Sequence, residues 1–410
     1  MRIVVVSCVF PPEPVVSSRT SFDVARGLAG RGHDVTVVAP FPNRPGGKLY
    51  AGFRRAFFRG EAADEGFRIV RCASIFSRRS SLLSRLAENL SFGISSALVL
   101  LFLPKPAVIY ANTWPIFGVA LVAMAARIRR VPLVLSVQDI YPESLLSQRR
   151  RGSLVLGRVL LAFDRRVSRG AAALVVISER FAEHYQRTRG VVSSRIHVIP
   201  NWLPGEGTEE IAGAADACRA RNGIPRDAFL IVYGGNVGVS AAVENVIEVF
   251  RDFDDHPDVH LLIAGEGASL DHCRRLAAAI APHRIHFESP WIDTMGVLHA
   301  ADVTVLPTRA AQSSASVPSK LISYLLSGRA VLAVALDDSD TAASVRASGA
   351  GVVVEPGSHL GLVNAIVAIK GLSPEERRRM GMAGRAWAMS QVTAEVCLPH
   401  LLRVIEEAGQ

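Results

Sequence analysis

The sequence has few of the features that mark secreted, metal-binding or disordered proteins. Only five of its 410 residues are cysteines, and the odd count without a CxxC pair excludes a disulfide-stapled domain and fits a reducing compartment. Its eleven histidines show neither the HxxxH nor the HExxH spacing of zinc sites. Hydrophobic residues make up 49% and charged residues 20%, a composition that excludes a disordered chain.

The start of the chain lacks the pattern of a signal peptide. Its first apolar run, Ile3 to Phe10, is short and is followed by two prolines, with no small-residue cleavage site. The longest uncharged stretch, residues 106–126, has the length of a membrane span. Asn112 to Pro115 divide it into a short strand and a helix, so we expect no transmembrane segment.

Positive charge is concentrated in the first half. Residues 1–200 hold 29 Lys and Arg against 12 Asp and Glu, a net charge of +17, and the remainder has a net charge of −8. This asymmetry indicates an anionic partner, either nucleic acid or an acidic membrane surface, and a solvated arginine-rich face is the plain alternative. The segment Phe53–Arg59, which interleaves Phe with Arg, favours a membrane, as do Arg78-Arg79 and Leu98–Leu103. No helix-turn-helix, RNA-recognition or zinc motif supports nucleic acid.

Short apolar runs rich in Val and Ile alternate with amphipathic stretches along the whole chain. Seven such runs precede residue 200 and six follow it, and their lack of polar alternation is typical of strands buried on both faces of a parallel sheet. The repeated alternation predicts an α/β protein with two Rossmann-like, doubly wound domains. Clustered Pro and Gly after Pro200, where the charge sign also changes, place the boundary at residues 203/204.

Ligands of open α/β sheets bind at the carboxyl ends of the strands, so two such sheets facing each other would form a cleft with two half-sites. In the second domain, the strand ending at Tyr233 runs into Gly234-Gly235-Asn236-Val237-Gly238. Its glycines would let backbone N–H groups approach a diphosphate, although a tight strand-to-helix turn explains them equally well. The loop is neither a Walker A nor a GxGxxG motif. Glu266, between two glycines, is a candidate to accept hydrogen bonds from sugar hydroxyls or is a plain surface residue.

A polar loop of small residues precedes Lys320. Ser316, Pro318 and Ser319 are predicted to lead into a helix with Pro318 in its first turn, and that helix would end at Gly328. Exposed amides, the positive helix end and Lys320 would then converge on a phosphate. A capped helix with Lys320 in solvent is the alternative.

Two loops of the first domain carry candidate acceptor-binding residues. Ser17 or Ser18 is predicted to cap the first helix, where Arg19 would attract an anionic group or stay solvated. After the strand Leu133–Val137, Asp139 and Glu143 could orient or deprotonate an acceptor hydroxyl. Helix capping by Asp139 or Ser144 is the alternative. The DxD pairs at 252–254 and 338–340 are interpreted as helix ends or turns, not as a metal site.

Taken together, these loops resemble the family-4 glycosyltransferases of the GT-B architecture. The resemblance covers nearly the whole chain, through FPPE and QDIYPES in the first half and IPNW, YGGNVG, LLIAGEG, ADVTVLP, SVPSKLISYLLSGRAVLA and GAGVVVEPG in the second. Within the family, the sequence is most similar to amino-sugar transferases of bacterial capsule and O-antigen assembly.

The resemblance implies a retaining transfer from a nucleotide-diphospho-sugar, usually UDP-linked, without an essential metal or other cofactor. The donor would bind residues 204–387 and the acceptor residues 1–203, with the last helix, 388–410, packing back on the first domain. Gly235, Asn236 and Gly238 match the diphosphate loop, and Ser319 and Lys320 match the start of the donor-loop helix.

The expected chemistry assigns one role to each domain. Lys320 would stabilise the departing diphosphate, and Asp139 would orient the acceptor hydroxyl or stabilise the developing sugar cation. The acceptor is expected to be a lipid-linked saccharide at the cytoplasmic face of the cell membrane, with the protein bound there peripherally. The sequence has Ala315 and Ser323 where the wider family has two glutamates. That departure leaves a non-catalytic scaffold as an alternative.

Overall fold

The computed structural model describes residues 1–44, 46–76, 82–112, 116–140, 143, 154–208, 211, 213–290, 294–310 and 318–410. The chain forms two compact units, one of residues 1–201 with 397–410 and the other of residues 202–396. The division at 203/204 expected from the sequence differs from the observed one by two residues. Both units are α/β, which confirms the predicted fold class.

The first unit is built on an eight-stranded sheet in the order β3-β4-β2-β1-β5-β6-β7-β8, in which only β3 and β4 pair antiparallel. The strands are β1 Arg2–Ser7, β2 Asp34–Pro40, β3 Phe58–Ala62, β4 Arg68–Cys72, β5 Val108–Asn112, β6 Leu133–Val137, β7 Ala173–Val176 and β8 Ile196–Val198. The helices described along this part of the chain are α1 Val16–Gly30, α2 Leu82–Phe102, α3 Ile116–Arg129, α4 Leu154–Gly170 and α5 Glu179–His184.

The strand β3 was not predicted. Its sequence FRGEA has no apolar run, and its side chains are exposed or half-buried because it lies at the edge of the sheet. The other seven strands coincide with the apolar runs of the first half. The Val and Ile side chains of β1, β2, β5, β6 and β7 are buried because helices cover the sheet, as expected of parallel strands, whereas those of the edge strand β8 are half-buried.

The second unit holds a six-stranded, fully parallel sheet in the order β11-β10-β9-β12-β13-β14. Its strands are β9 Phe229–Gly234, β10 Val259–Ala264, β11 Ile285–Glu288, β12 Val303–Pro307, β13 Ala330–Val334 and β14 Gly351–Val354. The helices described here are α6 Ala214–Arg221, α7 Val243–Glu248, α8 Leu270–Ile280, α9 Thr294–His299, α10 Lys320–Leu326, α11 Asp340–Ser348, α12 His359–Gly371 and α13 Pro374–Gln391.

The strand order decides where each unit opens to a ligand. In the second sheet β9 lies between β10 and β12, so the loops that follow β9 and β12 leave the sheet in opposite directions. In the first sheet the same reversal falls between β1 and β5. Such switch points are where open α/β sheets bind ligands, at the carboxyl ends of their strands.

The chain ends on the first unit. The last helix, α14 Ala394–Ala408, follows α13 after a break at residues 392–393. It packs against α1, since a Cβ on Gly27 would lie 2.8 Å from the Cδ1 of Leu402.

Candidate functional site

The glycine loop after β9 is in direct contact with the side chain of Lys320. Gly235 has a φ of +143°, and a Cβ at this position would lie 2.1 Å from the Cε of Lys320. Glycine is required here both by the backbone angle and by the aliphatic stem that crosses it. The structure therefore brings together two residues that the sequence proposed separately for one diphosphate site.

A second glycine loop supports the first. Gly265 follows β10, and a Cβ on it would lie 1.9 Å from the carbonyl oxygen of Gly235. The Val237 amide donates to the Glu266 carbonyl at 2.8 Å, which holds the two loops together. The Glu266 side chain is exposed. Glu266 thus holds the glycine loop through its main-chain carbonyl. The predicted contact of its side chain with a sugar hydroxyl stays a prediction.

Tyr324 fixes α10 to the end of β9, a role that the sequence reading missed. Its buried hydroxyl accepts a hydrogen bond from the Gly234 amide at 2.9 Å and donates one to the Gly234 carbonyl at 3.0 Å. Because Lys320 lies one turn earlier on the same helix, this clamp sets the position of the ammonium over the loop. The Lys-x-x-x-Tyr spacing was the signal that could have revealed it.

The Lys320 side chain is half-buried, so its ammonium is partly withdrawn from solvent. Burial lowers the pKa of Lys320 below its ordinary value, and its Nζ lies 5.6 Å from the centroid of the Tyr233 ring. In the part of the chain that the structure describes, no carboxylate lies within 4.0 Å of this Nζ. An anionic ligand would offset the cost of burying this charge, so the arrangement favours binding of a phosphate group.

The remaining residues predicted to bind the donor belong to the two loops that meet at Gly235 and Lys320. Asn236 is exposed and Gly238 is half-buried at the open end of the glycine loop. The helix α10 begins at Lys320, so the prediction that Pro318 lies in its first turn is wrong. Pro318 instead accepts a hydrogen bond from the Leu321 amide through its carbonyl, and Ser319 is the N-cap without a side-chain capping bond. Ser316 lies outside the described residues.

In the first unit, Asp139 follows β6 at the carboxyl end of the sheet. Burial raises the pKa of Asp139 above its ordinary value. Among the described residues, no ion pair or hydrogen bond of its side chain is seen. The alternative of helix capping stays a prediction, because residues 141 and 142, which Asp139 would cap, lie outside the described part of the chain. A half-buried carboxyl with a raised pKa is suited to exchange a proton with a hydroxyl group.

Glu143 is engaged by a buried arginine. The Arg189 guanidinium donates to both Glu143 carboxylate oxygens at 2.7 Å, and His184 Nε2 lies 3.2 Å from one of them. Burial raises the pKa of Glu143, but the hydrogen bonds from Arg189 and His184 outweigh it and hold the pKa at about 2. Glu143 is therefore a poor proton acceptor at neutral pH, and its binding of an acceptor stays a prediction.

The depressed pKa of Glu143 makes stability depend on acid pH. The carboxyl has an ordinary pKa of 4.5 and a folded pKa of about 2, so its contribution is complete above pH 4.5 and is lost as the pH falls toward 2. We expect the Tm to fall more steeply across this window in the wild type than in Glu143→Gln. Thermal unfolding followed by circular dichroism measures this, and equal slopes would contradict the assignment.

The start of α1 differs from the prediction. The helix begins at Val16 with Val15 as its N-cap, so Ser17 and Ser18 lie inside the first turn and neither caps it. The Ser18 hydroxyl is buried and has no hydrogen-bond partner among the described residues. Arg19 is exposed, and its Nε lies 3.1 Å from an Asp23 oxygen that also pairs with Arg26, so Arg19 is engaged within α1.

A buried polar row at the switch point of the first sheet was missed from the sequence. The hydroxyls of Ser7 and Ser21 lie 2.8 Å apart, and the Asn112 amide nitrogen donates to Ser21 at 2.9 Å. The Asn112 amide oxygen is buried without a hydrogen-bond partner in the described part of the chain. Ser18 lies one turn before Ser21 on α1, and Asn112 pairs with Ser7 at the carboxyl ends of β5 and β1. Two buried polar atoms without a partner among the described residues thus belong to this part of the first unit.

Family models match both halves of the chain. The glycosyl transferase 4-like domain matches residues 17–202, and the glycosyl transferases group 1 model matches residues 228–370. This chain belongs to the family-4 glycosyltransferases of the GT-B fold. In this glycosyltransferase, residues 228–370 contain both glycine loops, Lys320 and Tyr324. Residues 17–202 contain Ser18, Asn112 and Asp139.

Individual relatives agree with this assignment. The putative colanic acid biosynthesis glycosyl transferase WcaI of Escherichia coli K12 is 25% identical over 344 residues, which are 81% of this chain and 83% of the relative. The structure of Anabaena HepE in complex with UDP has a TM-score of 0.72 at 15% identity, covering 99% of this chain and 100% of HepE. WaaG, a glycosyltransferase involved in lipopolysaccharide biosynthesis, has a TM-score of 0.70 at 18% identity, covering 98% and 99%. These likenesses confirm the fold.

Proposed function

We propose that this glycosyltransferase transfers a sugar, with retention of configuration, from a UDP-sugar to a lipid-linked saccharide in cell-surface polysaccharide assembly. The observation that carries the proposal is the half-buried side chain of Lys320, whose stem crosses the bare main chain of Gly235 at a switch point of the sheet. The relative named for colanic acid biosynthesis supports the pathway class, and HepE, solved with UDP and with UDP-glucose, supports the donor class.

Each group has a defined task in the proposed reaction. The bond between the anomeric carbon and the diphosphate oxygen breaks, and the electron pair leaves with the nucleotide. Lys320 and the amides of the glycine loop stabilise that charge, as preorganised dipoles and cations do in many enzymes. The acceptor oxygen attacks the anomeric carbon on the face from which the diphosphate departs, which retains the configuration. Asp139 orients the acceptor hydroxyl and takes its proton as the new glycosidic bond forms. No metal or other cofactor is assigned a step.

The donor sugar and the location are proposed from the resemblance and from the charge of the first half. An N-acetylamino sugar is the donor class suggested by the resemblance to capsule and O-antigen transferases. We place the enzyme in the cytoplasm, bound peripherally to the inner face of the membrane, because a lipid-linked acceptor would be presented there. The positive charge of the first half suits such a surface.

Nucleotide binding provides the decisive test. We expect UDP and one or more UDP-sugars to stabilise the folded chain, by about 2.7 kcal/mol at a hundredfold excess over Kd, and UMP to do so much less. Differential scanning fluorimetry over a panel of nucleotide sugars measures this, and proton NMR of the product then reports the anomeric configuration. Stabilisation by no nucleotide diphosphate would favour the scaffold alternative, and an inverted product would reject retention.

A further inference from the structure

One line of large apolar side chains on α2 is exposed. We call it the apolar ridge: it takes every fourth residue, and its members are between 37% and 85% exposed. They are Leu86, Leu90, Ile94, Leu98 and Phe102. Residues four apart form one continuous row along a helix surface, and each step of four turns this row by about 40° around the axis. The row therefore winds around α2, and its middle members, Leu90, Ile94 and Leu98, form the apolar strip that one flat surface can contact.

The middle members of the ridge, Leu90, Ile94 and Leu98, stay exposed beside the packed side of α2. On the packed side, a Cβ on Gly93 would lie 2.8 Å from the Cα of Gly118 in α3, so the two helices touch through their backbones. Residues 84–102 are long and apolar enough to cross a membrane, but 39% of the apolar window is buried within the protein. A helix packed in this way is suited to lie on a bilayer surface, with only its exposed strip in the lipid.

Neighbouring helices extend the apolar surface. Exposed apolar residues on α3 and α4 are Met124, Ile128, Val159 and Phe163. The carboxyl ends of α2 and α3 lie together, because the Arg129 guanidinium donates to the Leu100 carbonyl at 2.6 Å and to the Leu103 carbonyl. The strongly exposed Phe102 and Ile128 therefore lie at the same end of the helix layer. Surfaces of this kind on soluble proteins mark interaction sites.

The charges on these helices indicate which kind of partner the apolar surface binds. Exposed basic residues on or beside α2, α3 and α4 are Arg85, Lys105, Arg127, Arg130, Arg158, Arg165, Arg166 and Arg169. Among the described residues of the same helices, both acidic side chains are already paired, Glu88 with Arg44 at 3.0 Å and buried Asp164 with Arg189. A second copy of this face would bring like charges together, whereas an anionic bilayer would match them.

We propose that the apolar ridge of α2 docks this glycosyltransferase on an anionic phospholipid bilayer, with α2 parallel to the membrane plane. The inference deepens the proposed function and rests on it, because a lipid-linked acceptor gives the docking its purpose. The ridge side chains enter the boundary between headgroups and acyl chains, and the flanking arginines contact lipid phosphates.

The ridge replaces a different segment as the main docking element. Phe57 and Phe58, in the Arg-rich stretch expected to bind membranes, are also exposed. Within that stretch, however, Arg55 stacks on the Phe76 ring at 4.9 Å, and Phe53 is covered by Arg71 at 5.6 Å. Part of the segment is thus occupied by contacts inside the protein.

Vesicle co-sedimentation of the full chain tests the proposal. The probes are vesicles of phosphatidylcholine with and without phosphatidylglycerol, at low and high salt. The ridge variant is Leu90→Ser/Ile94→Ser/Leu98→Ser. Its matched controls are Phe57→Ser/Phe58→Ser and Leu360→Ser, an exposed leucine of the second unit. We expect anionic vesicles to bind the wild type and both controls, and the ridge variant to bind at least about tenfold more weakly.

Equal binding by the ridge variant and the wild type would overturn the proposal. So would loss of binding confined to the Phe57/Phe58 variant, or a wild-type dimer that the ridge substitutions dissociate while vesicle binding is unchanged. Circular dichroism and stabilisation by UDP, measured without vesicles, show that the ridge variant is folded and retains its donor site. Because donor binding needs no membrane, failure of docking is distinguishable from failure of the proposed transferase function.

Discussion

Replacement of Lys320 by methionine is expected to lower kcat/KM for the nucleotide-sugar donor by about 10²–10³-fold, the loss typical of removing one preorganised charge-stabilising group. Methionine keeps an unbranched apolar stem against Gly235 and Tyr233 but removes the ammonium. The loss should fall mainly on kcat, because charge on the diphosphate develops as the glycosidic bond breaks. Steady-state kinetics with a saturating acceptor measure it.

Lys370→Met is the matched control for this experiment. Lys370 belongs to the same unit, but its ammonium lies 2.8 Å from an Asp258 oxygen and pairs with it. We expect its activity to equal that of the wild type. An unchanged kcat/KM in Lys320→Met, with the Tm preserved, would remove Lys320 from the catalytic machinery. A fall in activity together with the Tm in both variants would instead indicate a packing effect.

The strands could be predicted from the sequence because burial on both faces leaves a local signal. Every predicted apolar run, from Ile3–Val6 to Val352–Val354, coincides with a strand of one of the two sheets. The strand β3 left no such signal, since an exposed antiparallel edge strand does not need apolar residues. The second series of apolar runs predicted the second sheet for the same reason, because its strands are also buried on both faces.

The site could be predicted only where its chemistry is contained in one loop. Gly235 and Lys320 were each found from local patterns, but their contact joins positions far apart in the chain. The clamp between Tyr324 and Gly234 and the bond between Asn112 and Ser21 span 90 and 91 residues, and no local rule predicts such pairs. They exist because strand order brings distant strand ends to one edge of a sheet.

The misplaced start of α1 has a different cause. Ser is a favoured N-cap, which led to the choice of Ser17 or Ser18, but the helix begins earlier, at Val16. The main chain closes this turn through the Ser18 amide and the Val15 carbonyl, 3.0 Å apart, without any side-chain cap. The structure thereby leaves the Ser18 hydroxyl free of a capping role.

Arg189 is expected to be the position where one substitution destabilises the first unit most. Its side chain is fully buried, and its Nε donates to Asp164 at 2.7 Å while the other guanidinium nitrogens hold Glu143. Arg189→Met would leave the Asp164 carboxylate buried without its cation, at a cost of about 3–5 kcal/mol. For a unit of this size the Tm should fall by roughly 10 °C.

We expect the loss of stability in Arg189→Met to come from the unpaired Asp164 carboxylate and not from lost packing. A second variant distinguishes these two causes. In Arg189→Met/Asp164→Asn the neutral amide no longer needs a buried cation, so part of the lost stability should return. Arg187→Met, at an exposed neighbouring position, serves as control and is expected to change the free energy of unfolding by less than about 0.5 kcal/mol. Urea unfolding of the four proteins measures these differences. A single variant as stable as the control, or a double variant no more stable than Arg189→Met, would mean that the ion pair with Asp164 does not hold this part of the first unit together.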